Sequence, residues 1–133
     1  MPVTAVQLGS PRLAGEGLRI GTVRRPPRGV RKAEYASRDY YDVWLPELAP
    51  SEALRSWVMS RPWSGERWNT FARRYRAEMA APAVARLLTL LRALAETTSF
   101  SIGCYCDDAS RCHRSILLDL LRSGGATRGR RKA

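Results

Sequence analysis

The stretch from Thr97 to Leu121 constrains the fold more than any other, because one strand there runs straight into one helix. In "TTSFSIGCYC", Phe100, Ile102 and Cys104 alternate with Ser99, Ser101 and Gly103. That is the period of two that an extended chain imposes. After "DDAS" the period changes, and Ile116, Leu117, Leu120 and Leu121 share one side of a helix. A strand feeding a helix is the unit of layered α/β proteins, which place ligands where the strand ends and the helix begins. Here that point is "GCYCDDASRCHR", Gly103 to Arg114, which holds all three cysteines and the only histidine of a 133-residue chain.

The rest of the chain fits the same class. "VTAVQLG" reads as a strand from Val3. "LRIGTVR" reads as another, with Leu18, Ile20 and Thr22 on one side and Arg19, Gly21 and Val23 on the other. Pro26 and Pro27 end it, since neither donates to a ladder. "YYDVWLPEL" fits a short strand or an extended loop. Ser51 is the expected N-cap of a helix carrying Leu54, Trp57 and Val58 on one face. Ser64 is the expected N-cap of the next, with Trp63 and Trp68 spaced as a hydrophobic staple. Pro82 opens a third, whose Val84, Leu87, Leu88, Leu91 and Leu94 predict cover over most of its surface. A buried helix linking strands argues for parallel pairing. Gly124 and Gly125 are expected to stop the last helix. The prediction is a single α/β domain over 1–123, with a small mixed or partly parallel sheet, about four helices, and a disordered basic tail over 124–133.

Charge adds a partner class. The net charge is +11, and it is localised. Arg24 to Lys32, "RRPPRGVRK", carries five cations and no acid, while Arg111 to Ala133 carries seven cations against Asp119. Those two segments account for all of the excess. A concentrated basic surface suits phosphates. Arginine far outnumbers lysine, which suits bidentate phosphate contacts and also fits a genome rich in GC. No apolar run reaches membrane length, since Ala80 to Ala95 is broken by Arg86 and Arg92. Three cysteines without a secretory leader predict a reducing, cytosolic setting.

The junction supports several chemistries. With Ser110 or Asp108 as cap, Arg111, Cys112, His113 and Arg114 occupy a first helical turn, where free amides and two guanidinium groups cradle an anion. The same arginines also fit ion pairs with Asp107, Asp108 or Asp119. Cys112 beside His113 fits a catalytic thiolate and its partner, or a small buried side chain and an inner-face histidine. Cys104 and Cys106 point to one face of a strand, so with Cys112 they are a weak candidate set for zinc, or for a redox pair. The early basic loop offers a second anion-binding element: Arg25, Arg28 and Gly29, with Gly29 free to form the tight turn.

These residues carry a resemblance. "RRPPRGVRK", "YYDVWLPELAPS", "RWNTFARRYRAEM" and "CYCDDASRCHRSILLDLL", in this order over roughly Leu18 to Leu121, resemble the domain of unknown function 488 family, the YeaO-like proteins. The resemblance implies a small bacterial cytosolic α/β protein with a central sheet. The family's proline-arginine-glycine turn falls on Pro27, Arg28 and Gly29, though Pro26 stands where many relatives carry tryptophan. Its cysteine-histidine-arginine signature falls on Cys112, His113 and Arg114.

The functional expectation is a phosphorylated ligand, either a nucleotide or a nucleic-acid end. Arg25, Arg28, Gly29, Arg111 and Arg114 are expected to bind it, and Cys112 and His113 to carry any hydrolase or transferase chemistry. The alternatives are a non-catalytic nucleic-acid-binding module and a cysteine-dependent enzyme or redox protein. No cofactor is called for, apart from the weak zinc candidate.

Overall fold

A computed structural model of the chain describes residues 3–106, 108 and 111–132, and beyond Arg122 the backbone alone. Its sheet has four strands: β1 (Val3–Gln7), β2 (Leu18–Gly21), β3 (Val43–Trp44) and β4 (Phe100–Cys104). Their order is β1-β4-β2-β3, and every pairing is parallel. The last strand in sequence is therefore central. Ile102 lies opposite Ala5 on one side and Ile20 on the other. That position explains why all five residues of β4 are buried, as expected of a parallel strand covered on both faces.

Four α-helices supply the cover: α1 (Glu52–Met59), α2 (Gly65–Met79), α3 (Pro82–Leu94) and α4 (His113–Lys132). Their starts are written in the sequence. Ser51 Oγ accepts from the Leu54 amide and Ser64 Oγ from the Arg67 amide, each at 3.1 Å. Glu78, at the end of α2, accepts from both the amide and the hydroxyl of Ser51, which locks α1 to α2. Leu48, Phe71, Tyr75, Leu88, Leu91, Ile102 and Leu117 form the main core. A smaller cluster joins Leu8, Val23 and Tyr41 to Cys104 and Cys112.

Three expectations need correction. The alternation in β2 grouped Leu18 with Ile20 and Thr22, yet Leu18 is exposed while Ile20 and Thr22 are buried, and Arg19 on the other side is wholly buried. Arg19 is tolerated there because its guanidinium donates to Glu16 and to the carbonyls of Ser10, Pro11 and Asp39. On α3, Leu90 and Leu94 stay exposed, so the helix is covered on one side only. Trp63 holds the Arg111 guanidinium over its ring at 4.2 Å, while Trp68 stacks on Phe71. Finally, α4 runs through Gly124 and Gly125 to Lys132. No described helix is long and apolar enough to cross a membrane.

Candidate functional site

A cavity of about 240 Å³ opens at the carboxyl ends of β2 and β4. Its buried lining includes Phe71, Cys104, Cys112 and His113, and its exposed lining includes Tyr105, Arg25, Arg55 and Arg111. The parallel sheet explains the place. β2 and β4 run side by side and end together, at Gly21 and Cys104. Gly103 leaves room at this end for Leu8, whose Cδ2 a Cβ would meet at 2.5 Å and force to shift.

The helix start differs from the cradle expected of it. α4 begins at His113, so Arg111 and Cys112 precede its first turn. Ser110, one of the two expected caps, lies outside the described residues, as does Asp107. Asp108 acts through its backbone, accepting from the Arg111 amide at 3.1 Å. Its carboxylate stands 3.6 Å from Arg111 Nε. Arg111 lines the cavity. Arg114 turns away from it: it is buried, and its Nη1 donates to the Cys106 carbonyl at 2.6 Å and to Cys104 Sγ at 3.4 Å. Arg114 therefore braces the end of β4 and places a guanidinium on a sulfur.

His113 is held just as firmly. Its Nε2 lies 2.7 Å from the Thr22 carbonyl oxygen. A carbonyl only accepts, so Nε2 carries the hydrogen and Nδ1 is left as an acceptor, 3.7 Å from Cys112 Sγ. Burial pushes the imidazole down to about 4, with Arg114 adding to the fall and the Thr22 bond opposing it. A base that weak does not take a proton from an ordinary thiol near neutrality. His113 thus ties α4 to β2 and faces Cys112 Sγ with an acceptor nitrogen, rather than serving as a base.

The three sulfurs do come together. Those of Cys104, Cys106 and Cys112 all lie within 4.8 Å of one another, and Cys104 and Cys112 are paired as a disulfide. The donor set suits a soft metal such as zinc when reduced. Of the early basic loop, Arg25 lines the cavity and pairs with Glu52 at 2.5 Å. Arg28 and Gly29 are exposed and do not line it. The sequence reading missed two lining arginines. Arg24 is fixed by the carbonyls of Ala49 and Pro50, and Arg55 comes from α1. The loop's charge pointed to Arg24, but nothing local marks Arg55, which reaches the site through tertiary packing alone.

A family model for DUF488-N3a, described as the active DUF488-N3 subclade, matches residues 3–125. The chain belongs to the DUF488 family. Uncharacterised proteins of Mycobacterium tuberculosis (strains H37Rv and CDC 1551) and of Mycobacterium bovis are each 31% identical to it over 109 residues, covering 80% of this chain and 81% of theirs. No solved structure matches the chain significantly. The DUF488 match spans every strand and the cavity's whole lining, so the site belongs to the family domain.

Proposed function

We propose that this DUF488 protein binds a phosphorylated ligand, a nucleotide or the end of a nucleic acid, in the cavity at the ends of β2 and β4. One observation carries the reading. Among the described residues, the charged lining is four arginines, Arg24, Arg25, Arg55 and Arg111, against one acid, Glu52. Arg24 is held by neutral carbonyls, so its charge is not cancelled. Arg55 has no side-chain partner among the described residues. Guanidinium groups arranged this way favour phosphate oxygens. Tyr105, also in the lining, offers an exposed ring for a base to stack on, and its hydroxyl is anchored on the Arg25 carbonyl. Arg28 and Arg114 are not needed by this reading.

The test is calorimetric titration of the reduced chain with a nucleoside, its mono- and triphosphate, inorganic phosphate and a short single-stranded oligonucleotide. Binding that requires the phosphate, and that weakens about tenfold in Arg55→Ala, supports the proposal; tenfold is the low end for losing one charge-assisted bond. Nucleoside binding as strong as nucleotide binding overturns it. Preference for the oligonucleotide with a steep salt slope supports the non-catalytic nucleic-acid module instead.

A second reading, cysteine-dependent chemistry, is favoured by Arg114 Nη1 on Cys104 Sγ. A neighbouring cation stabilises a thiolate. That contact makes Cys104, rather than Cys112, the better nucleophile. A thiol titration of the reduced protein checks it, with an ordinary value at Cys104 counting against the reading.

A further inference from the structure

We infer that Cys104, Cys106 and Cys112 form a reversible three-thiol relay, in which a peroxide closes the Cys104–Cys112 bond and Cys106 opens it. Four observations converge on this cluster. Cys104 ends the central strand and Cys112 immediately precedes α4, eight residues later, and the two are paired. Both are buried, whereas Cys106 is exposed with its sulfur in the same cluster. Their Cα atoms stand 7.8 Å apart, beyond the usual span of about 4.4–6.8 Å. That separation is seen with the two sulfurs already paired, so the side chains bridge it without drawing the strand end and helix start closer. Finally, Arg114 Nη1 lies 3.4 Å from Cys104 Sγ and His113 Nδ1 lies 3.7 Å from Cys112 Sγ, so a cation and an acceptor stand ready for the thiolate and the thiol of the reduced form.

The chemistry balances with two named co-reactants. On oxidation, the Cys104 thiolate attacks one oxygen of hydrogen peroxide. A sulfur–oxygen bond forms, the oxygen–oxygen bond breaks, and hydroxide leaves with a proton as water. The Cys112 thiol then attacks the Cys104 sulfenic acid. It loses its proton, the disulfide forms, and a second water leaves. On reduction, the Cys106 thiolate attacks the Cys104 sulfur and Cys112 leaves as a thiolate that takes up a proton. A low-molecular-weight thiol, glutathione, next attacks the exposed Cys106 sulfur and Cys104 leaves. A second glutathione thiolate removes the first as oxidised glutathione. The oxidised state places a bond across the cavity's buried lining, so the relay switches the site's thiols off and on.

The test reads sulfur pairing directly, so it is independent of what the cavity binds. The reduced, full-length chain is exposed to stoichiometric hydrogen peroxide, quenched with acid, blocked with N-ethylmaleimide and mapped by peptide mass spectrometry. The expected product is linked Cys104–Cys112 with Cys106 blocked, reversed by glutathione. In Cys106→Ser, an exposed position, the same bond forms, and glutathione opens it about tenfold more slowly because the remaining sulfurs are buried. Three blocked thiols after peroxide, oxidation confined to Cys106, or reopening at the wild-type rate in Cys106→Ser overturns the inference. So does reduced protein, purified without chelator, that carries stoichiometric zinc on the three sulfurs and resists peroxide.

Discussion

His113 Nε2 reaches the carbonyl oxygen of Thr22 at 2.7 Å, joining the start of the last helix to the end of a strand 91 residues away. Thr22 Oγ1 lies 3.2 Å from the same nitrogen and itself donates to the Gly103 carbonyl. One imidazole thus stitches β2, β4 and α4 at the point where the cavity opens. The ring is buried against Tyr75, and that burial requires it to be neutral.

That requirement makes stability depend on pH near neutrality. His113 is lowered to about 4 in the fold, against roughly 6.5 unfolded. Below 6.5 the unfolded chain takes up a proton that the native state refuses, so stability falls as pH drops from about 6.5 to about 4. Between pH 7 and 5 the loss is about 2 kcal/mol. Urea unfolding at the two pH values measures it. His113→Asn lowers stability at pH 7 and flattens this limb; an equally steep limb in the variant shows that another group titrates there.

A second buried charge acts at lower pH. Glu16 and Arg19 pair at 2.7 Å with almost no side-chain exposure. Burial alone raises the Glu16 carboxyl, but hydrogen bonds from Arg19, the Leu13 amide and Ser101 overcome it and hold it at about 2. The stabilisation is complete above the unfolded value near 4.5 and disappears as pH falls toward 2. Glu16→Gln strands the buried guanidinium and costs about 3–5 kcal/mol at pH 7. It also removes the acid limb below pH 4.5. A variant less than 1 kcal/mol weaker than wild type in urea contradicts the importance of this pair.

The fold class was legible because β4 and the last helix are long and change period cleanly. The N-caps at Ser51 and Ser64 were legible because a hydroxyl before an amphipathic run has one structural use. Arg19 was not, since a charge on a strand reads as solvent-facing until its distant acceptors are known. Around the cavity, the three cysteines and His113 stood out because they are close together in sequence. Their roles were not, because Arg114 and His113 turn on Cys104, Cys106 and Thr22, partners that the sheet order supplies. Arg28 lies outside the cavity lining for the same reason: loop charge says nothing of which way the loop faces.

Glycine positions separate backbone strain from crowding. Gly15 and Gly17 both hold positive φ, at 75° and 78°. A Cβ at Gly15 meets nothing within 4 Å, whereas one at Gly17 runs into the Ser99 carbonyl, which is backbone and cannot swing aside. Gly15→Ala should cost about 1 kcal/mol for the left-handed conformation alone. Gly17→Ala adds the clash, by about 1–3 kcal/mol more. Thermal unfolding of the two variants ranks them, and equal midpoints refute the clash.

Arg111 and Arg114 lie three residues apart, yet they should fail in different assays. Arg111 is exposed, lines the cavity, and spends its charge on Trp63 and a solvent-facing Asp108. Surface pairs of that kind contribute little, so Arg111→Ala keeps the melting temperature while weakening nucleotide binding about tenfold. Arg114 is buried and bonds the carbonyls and sulfur at the end of β4. Lysine cannot span those acceptors with one ammonium. Arg114→Lys therefore destabilises the fold by about 1.5–3 kcal/mol. Differential scanning fluorimetry and calorimetric titration on both variants resolve the pair. If Arg114→Lys melts like wild type but loses affinity, the side chain faces the ligand and the bracing role assigned to it is wrong.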